Sequence, residues 1–233
     1  MSKLRNIIKR IIQPFLKTGL TYYYRKPRKY NYQDIEVLVH PEVFPPHLTL
    51  STKILLDYIV ELDLKNKAFL ELGCGSGIIS LLASKKGAFV TATDINNIAL
   101  DHLKKASFEN HLKVDVIDSD LFKNLKNKSF DLIIINPPYY PKKAKNIKEK
   151  AWFCGEDFEY FKGLFNQLPN FITNHNQVNM ILSEDCQIET ITSIASLNNL
   201  KLTSVYETSK MGEINNIFEI NLTLQKKNLL LVH

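Results

Sequence analysis

The sequence has few of the residues that bind metals or cross-link chains. Its three cysteines, Cys74, Cys154 and Cys186, are an odd number without metal-ligand spacing, and its six histidines form no ligand cluster. We therefore expect free thiols, a reducing cytoplasmic location and no metal site. No apolar run reaches the roughly 20 residues that cross a membrane. The N-terminus also lacks the unbroken apolar core of a signal peptide, so we expect no membrane span.

Two familiar nucleotide-binding motifs are missing as well, although a glycine-rich turn is present. The strand-like segment 68–72 leads through the turn 73–77 into the apolar segment 78–83, which is the order strand, glycine turn, helix. Ile78 stands where the G-x-G-x-x-G fingerprint has its last glycine, and the turn lacks the Lys and Ser/Thr of a P-loop. The spacing therefore argues against a dinucleotide and against a nucleoside triphosphate.

Acidic residues follow the next two predicted strands. Asp94, at the end of the first, would accept hydrogen bonds from both hydroxyls of an adenosine ribose, although it would equally cap the helix that opens at 96–97. The Asp-Ser-Asp segment 118–120, after the second, suits a contact to an adenine amine, and it is also ordinary loop chemistry. Parallel strands end at one edge of a sheet, where open α/β sheets bind their ligands.

A buried strand that ends in two prolines is the most informative feature. The apolar run 130–135 stops at Asn136-Pro137-Pro138 because proline has no N–H to continue a sheet ladder. The Asn136 amide oxygen and the Pro137 carbonyl would accept both N–H groups of a planar –NH2, and Tyr139 would stack on its plane. The alternative interpretation is an ordinary Asn-Pro turn.

In this order the segments resemble class I S-adenosylmethionine-dependent methyltransferases. They are most similar to the small-methyltransferase group with an Asn-Pro-Pro-Tyr (NPPY) motif, which includes HemK-like glutamine N5-methyltransferases and adenine N6-methyltransferases. The resemblance covers roughly residues 37–225 and rests on segments 71–77, 119–122 and 136–139 together with Asp94. The segment 151–157 also resembles the stretch that follows the tetrapeptide in HemK-like enzymes, with cysteine in place of one glycine.

The resemblance implies transfer of a methyl group from S-adenosyl-L-methionine to a planar –NH2 nitrogen, without a metal. It assigns a set of residues to the cofactor: Thr52, Glu71, Gly73, Cys74, Gly75, Gly77, Asp94, Ile95, Ser119, Asp120 and Leu121. Within this set it places the glycines against the methionine, Asp94 against the ribose and Asp120 against the adenine. It assigns the acceptor to Asn136, Pro137 and Tyr139. Residues 43–46, with Thr52, resemble a lip over the cofactor.

The acceptor stays open between a base amine in RNA or DNA and a glutamine of a protein such as a release factor. Residues 1–33 hold nine basic residues and no acidic one, and the loop 142–150 holds five lysines against one glutamate, although the net charge is only +6. Such patches attract phosphate backbones, but lysine-rich loops are also commonly just solvated. Only 72 residues precede Gly73, so we expect no helical docking domain of the HemK-like kind. A non-catalytic module that binds nucleic acid or the ribosome is the alternative function.

The predicted fold is α/β, a doubly wound, mostly parallel, Rossmann-like sheet of seven strands with one antiparallel strand near the C-terminus. Strands are predicted at 68–72, 88–93, 114–118, 130–135, 178–183, 202–207 and 216–224. Helices are predicted at 52–62, 78–86, 97–109, 157–174 and 188–197. Residues 1–33 are predicted to be a basic extension with an amphipathic helix in residues 1–20, and residues 34–233 the methyltransferase domain.

Overall fold

The computed structural model describes residues 25–210 and 212–223. Its elements, in chain order, are β1 (Arg28–Tyr32), β2 (Ile35–Val39), α1 (Leu50–Glu61), β3 (Ala68–Leu72), α2 (Ile78–Lys85), β4 (Phe89–Asp94), α3 (Asn97–Glu109), β5 (Val114–Asp118), β6 (Leu132–Ile135), α4 (Glu159–Gln167), β7 (Gln177–Ser183), α5 (Ile188–Leu197), β8 (Leu200–Lys210) and β9 (Glu213–Leu222). Short 3-10 helices lie at Pro46–Leu48, Glu149–Ala151 and Leu168–Phe171. The helix predicted within residues 1–20 lies outside the described residues.

Within the described residues, the main sheet has seven strands in the order β5-β4-β3-β6-β7-β9-β8. Strands β3 to β7 pair in parallel, and β9 is antiparallel to both β7 and β8. The predicted doubly wound sheet with one antiparallel strand is therefore confirmed. The strand order reverses between β3 and β6, and a reversal of this kind opens a crevice at the carboxyl ends of the strands.

The core has two layers because the strands are buried on both faces. Ile134 of β6 packs into the cluster under α1, α2 and α3, whereas its neighbours Ile133 and Ile135 pack into the cluster under α4 and α5. Successive side chains of a strand point to opposite faces, so a continuous apolar run such as β6 is what a doubly covered strand requires. This strand carries the acceptor loop at its end.

A β-hairpin, β1 and β2, was not predicted from the sequence. Its strands pair from Arg28↔Val39 to Tyr32↔Ile35, around a turn in which Gln33 has φ +52°. The alternate residues Ile35, Val37 and Val39 are buried against the helices on one face of the main sheet. Residues 28–32, which the sequence placed in the extension, therefore form strand β1. The hairpin crosses residue 33, where the extension was predicted to end.

The helix predicted at 157–174 is shorter in the structure. Helix α4 starts at Glu159, directly after Phe158, whose φ of +57° is left-handed. It gives way at Leu168 to a 3-10 helix that contains Pro169. Proline has no N–H for the α-helical ladder and its ring crowds the preceding turn, so the α-helix ends at Gln167, two residues before it.

No helix among residues 25–210 and 212–223 is long and apolar enough to cross a bilayer.

The turn between β3 and α2 places α2 tightly against α3. Gly77, just before α2, has φ +73°, and a Cβ added there would lie 2.3 Å from Cδ1 of the buried Leu103. Gly73, at the start of the same turn, has φ +78°, but an added Cβ would meet nothing within 4 Å. Both glycines adopt a conformation that strains other residues, and Gly77 additionally lets two helices approach.

We expect Gly77→Ala to destabilise the protein more than Gly73→Ala. The left-handed backbone costs roughly 1–2 kcal/mol at either position, and overpacking against Leu103 adds about 1–3 kcal/mol only at Gly77. Urea denaturation of the two variants and the wild type measures the difference. Equal losses of unfolding free energy would show that the contact with Leu103 is not the constraint.

Candidate active site

A cavity of about 560 Å³ opens at the carboxyl edge of the sheet. Its wall is built from the segments that follow β3, β4, β5 and β6, with helix α4 on one side. This volume falls within the range of pockets that bind small ligands and cofactors. The crevice expected at the strand-order reversal is thus present as a cavity that is open on one side.

Most of the residues predicted to bind the cofactor meet in this cavity. Those in its wall are Thr52, Glu71, Gly73, Cys74, Gly75, Asp94, Ile95, Ser119, Asp120 and Leu121, together with Asn136 of the acceptor tetrapeptide. Gly77, Pro137 and Tyr139 are not part of the wall that the described residues form. Gly77, placed against the methionine by resemblance, contacts α3 instead.

The glycine turn is fastened to the end of β4 by backbone hydrogen bonds. The N–H groups of Gly73 and Cys74 both donate to the carbonyl of Thr93, at 2.9 and 2.8 Å. The N–H of Gly75 donates to Oδ2 of Asp94 at 2.8 Å. Gly75 has φ +49°, and a Cβ there would lie 3.5 Å from Cβ of Phe44. The turn therefore places the backbone of Gly73 and Gly75, without side chains, in the wall of the cavity.

Asp94 is held in place by the turn and by the chain that follows it. Its Oδ1 accepts from the N–H of Asn96 at 2.9 Å, and the Asn96 side chain caps α3 by accepting from Ile98 at 3.1 Å. The sequence left open whether Asp94 caps α3, and in the structure Asn96 supplies this cap. Burial raises the pKa of Asp94, and its backbone hydrogen bonds oppose that rise. A carboxylate offers about four lone-pair positions, so both oxygens can accept further hydrogen bonds.

Glu71 is a buried carboxyl group in the cavity wall. Its Oε2 accepts from the N–H of Ser80 at 2.8 Å and also from the Ser80 hydroxyl. Burial raises the pKa of Glu71 to about 8, the Ser80 hydrogen bonds lower it, and the Asp94 carboxylate raises it. A cation in the cavity would favour the ionised form, because an opposite charge lowers the pKa of a carboxyl group.

Thr93, in the cavity wall, carries a buried hydroxyl. Its Oγ1 is fully covered, it has no hydrogen-bond partner within the described part of the chain, and the residue lines the cavity. Buried polar groups are nearly always hydrogen-bonded, so such a group indicates a ligand or water at this position. The carboxylates of Glu71, Asp94 and Asp120, with this hydroxyl, fit a ligand that carries cationic and hydroxyl groups.

Helix α4 contributes a stripe of cavity residues that the sequence analysis missed. Tyr160, Gly163 and Gln167 recur at helical spacing and all line the cavity. Burial raises the pKa of Tyr160, and the nearby carboxylates of Asp94 and Asp120 raise it further. The signal was present as a helical period, but a period alone does not distinguish a cavity wall from a core contact.

Two segments distant in sequence cover the cavity. The lip around Val43 and Phe44 meets the loop that contains the five lysines of residues 142–150. Lys148 forms an ion pair of 3.5 Å with Glu42, and the rings of Phe44 and Trp152 lie 4.6 Å apart. The lip predicted by resemblance is therefore in place over the site, together with the basic loop.

The acceptor tetrapeptide lies beside the cavity rather than wholly inside it. Asn136 and Pro138 line the wall, whereas Pro137 is buried and does not line it. Tyr139 is half-buried against the core cluster under α4 and α5, and its hydroxyl lies near those of Tyr140 and Ser183. Within the tetrapeptide, the Asn136 amide is therefore the side-chain hydrogen-bonding group in the cavity wall.

No group of three or more His, Cys, Asp or Glu residues in the described ranges is arranged to hold a metal ion.

Glu71→Gln should remove a pH dependence from the unfolding free energy. The folded-state pKa of about 8 exceeds the ordinary value of 4.5, so the stabilisation is complete below about pH 4.5 and is lost as pH rises through 8. Each pKa unit corresponds to about 1.4 kcal/mol. Urea denaturation across this range should show a steeper decline in the wild type than in the variant. Glu61→Gln, at an exposed glutamate, is the control, and identical slopes for all three proteins would contradict the assignment.

Comparisons with known proteins agree with the fold. The sequence model of the methyltransferase small domain matches residues 34–153. A putative protein N5-glutamine methyltransferase from Methanocaldococcus jannaschii is 34% identical over 157 residues, which are 65% of this chain and 77% of that protein. Ribosomal RNA small subunit methyltransferase C from Haemophilus influenzae is 40% identical over 155 residues, which are 61% of this chain but 46% of that protein.

Solved structures share the fold at low sequence identity. The T. thermophilus 16S rRNA N2 G1207 methyltransferase, solved with AdoMet and guanosine, has a TM-score of 0.58 at 17% identity, over 83% of this chain and 50% of that chain. The E. cuniculi Mtq2–Trm112 complex has a TM-score of 0.58 at 20% identity, over 78% of this chain and 99% of that chain. Since the family model covers more than half of the sequence, the chain belongs to the methyltransferase small domain family and is an S-adenosylmethionine-dependent methyltransferase.

Proposed function

We propose that this enzyme methylates a planar –NH2 nitrogen held by Asn136 and the Pro137 carbonyl, with S-adenosyl-L-methionine in the cavity. The observation that carries the proposal is the position of Asn136. It lines the same cavity as the glycine turn and Asp94, and its amide is the side-chain hydrogen-bonding group that the tetrapeptide places there. A hydrogen-bond acceptor at the rim of a cofactor cavity suits a substrate that must be presented to that cofactor.

The chemistry requires positioning more than activation. The lone pair of such a nitrogen is delocalised into its π-system, as the amide rotation barrier of about 18–20 kcal/mol shows. Two acceptors that bind its two N–H groups would hold the nitrogen where its lone pair meets the methyl group. The cofactor supplies a methyl group already activated on a sulfonium. The chain therefore contributes proximity and orientation.

The cavity residues divide the cofactor among them in our proposal. The exposed backbone of the glycine turn faces the methionine part, and Asp94 accepts from the ribose hydroxyls. Asp120, near Tyr160 on the far side, accepts from the adenine amine. Glu71 lies close enough to Asp94 for the two carboxylates to interact, so a cationic ligand relieves their repulsion.

The names of the relatives support a nitrogen acceptor. The archaeal relative is named for the N5 of glutamine, and the T. thermophilus structure for the N2 of a guanosine. Both nitrogens belong to planar –NH2 groups, which matches the acceptor geometry proposed for Asn136. This chain spans less than half the length of the rRNA enzyme from H. influenzae, so the acceptor of that enzyme is not transferred with it.

The charges of the described residues favour RNA as the acceptor. All five lysines of the loop 142–150 are exposed, and this loop follows the acceptor tetrapeptide directly. Lys148 pairs with Glu42 and Lys142 lies 4.9 Å from the Phe153 ring centroid, while Lys143 and Lys150 lie at the cavity mouth. Exposed lysines around an acceptor site attract phosphates and release counterions.

A methyl-transfer assay tests the proposed function. Lysate from cells that lack the gene would be incubated with the enzyme and tritiated S-adenosylmethionine, and the product divided between nuclease and protease. We expect nuclease-sensitive label, released as a methylated nucleotide. Binding of the nucleic acid to the enzyme should weaken steeply as the salt concentration rises. Protease-sensitive label would instead assign a protein glutamine. If neither fraction carried label, the proposal would be rejected.

Asn136→Ala and Asp94→Ala should separate the two halves of the site. Loss of the Asn136 oxygen should lower turnover by at least about 100-fold, because misplacement of a reacting atom has effects of this size. Its cofactor affinity should stay within about twofold of the wild type. Asp94→Ala should weaken cofactor binding by roughly 10- to 100-fold, since each hydrogen bond to a charged group contributes about 1.5–3 kcal/mol.

Calorimetric titration and single-turnover kinetics measure these two quantities. Asp94→Asn, which keeps one acceptor oxygen for the Gly75 N–H, is the control for collapse of the turn. Full turnover in the Asn136→Ala variant would contradict the proposed mechanism.

A further inference from the structure

The residue after the tetrapeptide, Tyr140, makes close contact with the aromatic ring of the acceptor loop. The ring centroids of Tyr139 and Tyr140 lie 4.7 Å apart at an angle of 51°. Their hydroxyls lie close enough to interact, and the Tyr139 hydroxyl also lies near Ser183 at the end of β7. Tyr139 is thus held by contact with the neighbouring ring.

The backbone of Tyr140 is fixed from the opposite side. Its N–H donates to the carbonyl of Trp152 at 3.1 Å, and its carbonyl accepts from Cys154 at 2.9 Å. These bonds form an isolated parallel bridge between Tyr140 and Phe153, and Phe153 lines the cavity. Tyr140 therefore belongs to the same hydrogen-bonded unit as the cover of the cofactor site.

Tyr139 needs such a support because of where it stands in the chain. It follows Pro138 in a loop and is half-buried at the edge of a core cluster. An aromatic side chain that must stack on a substrate plane loses affinity if it has to be ordered at the moment of binding. The neighbouring Tyr140 ring, in contact with it, orders it in advance.

We propose that Tyr140 is a positioning residue, which fixes the Tyr139 ring for the acceptor and ties the acceptor loop to the cover of the cofactor cavity. This rests on the acceptor role proposed above for the tetrapeptide. The contacts to Tyr139, on one side, and to Trp152 and Cys154, on the other, are the observations that carry it.

The electrostatic surroundings keep both hydroxyls protonated at neutral pH. Burial raises the pKa of both tyrosines. The carboxylates of Asp185 and Glu213, which lie towards Tyr140, raise the pKa of that phenol further. Both phenols therefore stay protonated, and each can donate a hydrogen bond.

Substitution of Tyr140 by Phe and by Ala tests the proposal in the full chain. Tyr140→Phe keeps the ring contact and loses the hydroxyl, so we expect kcat within about threefold of the wild type. Tyr140→Ala loses both and should lower kcat/KM for the acceptor by at least about tenfold. The cofactor Kd from calorimetry should stay within about twofold for both variants. Tyr206→Ala is the matched control, because Tyr206 also contacts a tyrosine ring, that of Tyr58, at 51°.

A second measurement does not depend on activity. Aromatic NMR signals of Tyr139, assigned with Tyr139→Phe, should show one ordered ring in the wild type and in Tyr140→Phe. In Tyr140→Ala they should show averaging between conformers. If Tyr140→Ala does not fold, Tyr140→Leu, which retains bulk without a ring plane or a hydroxyl, takes its place in both measurements.

The outcomes separate this inference from the proposed function. A wild type without methyl transfer to any acceptor rejects the proposed function, and the Tyr139 signals then decide the positioning alone. Unchanged Tyr139 signals in Tyr140→Ala overturn the positioning role. A loss of kcat that is accompanied by an equal loss of cofactor affinity also overturns it, because Tyr140 would then act through the cavity wall.

Discussion

The attachment of the glycine turn to the end of β4 is the constraint on which the site depends. One carbonyl, that of Thr93, accepts from two consecutive N–H groups of the turn, and the Asp94 carboxylate accepts from a third at Gly75. These bonds fix the ends of β3 and β4 relative to each other and set the direction in which α2 leaves. The Asp94 carboxylate in the cavity wall therefore also has a structural role, because it ties the glycine turn to the end of β4.

The parts of this arrangement that the sequence could predict are those that follow from strand ends. The strands are apolar runs, and the carboxyl ends of parallel strands meet at one edge, so Asp94, Ser119 and Asn136 were expected together. Most of the predicted set lines the cavity. The resemblance placed Gly77 against the ligand, and no local pattern shows which side chain lies beside a glycine. In the structure that side chain is Leu103, 26 residues further along the chain.

The remaining features depend on contacts between distant segments, which no local pattern records. The inner face of α4 has an ordinary helical period, and only the folded chain shows that Tyr160 and Gln167 face a cavity. The cover likewise requires Phe44 to meet Trp152, more than 100 residues away in the sequence. The β1–β2 hairpin was overlooked although Ile35–Val39 alternates as a strand does. Its first strand lies in the segment 1–33, whose basic composition suggested an extension.

The position of β9 has a consequence for how the chain folds as it is synthesised. Among the described strands, β8 has β9 as its single neighbour, and β9 separates it from β7. β8 is translated first, yet it has no place in the sheet until β9 has followed it. The edge of β7, next to the acceptor loop, therefore stays unpaired until the two strands insert together as a hairpin. An unpaired strand edge is open to mispairing with other chains, so this late step is when the nascent protein is most exposed to aggregation.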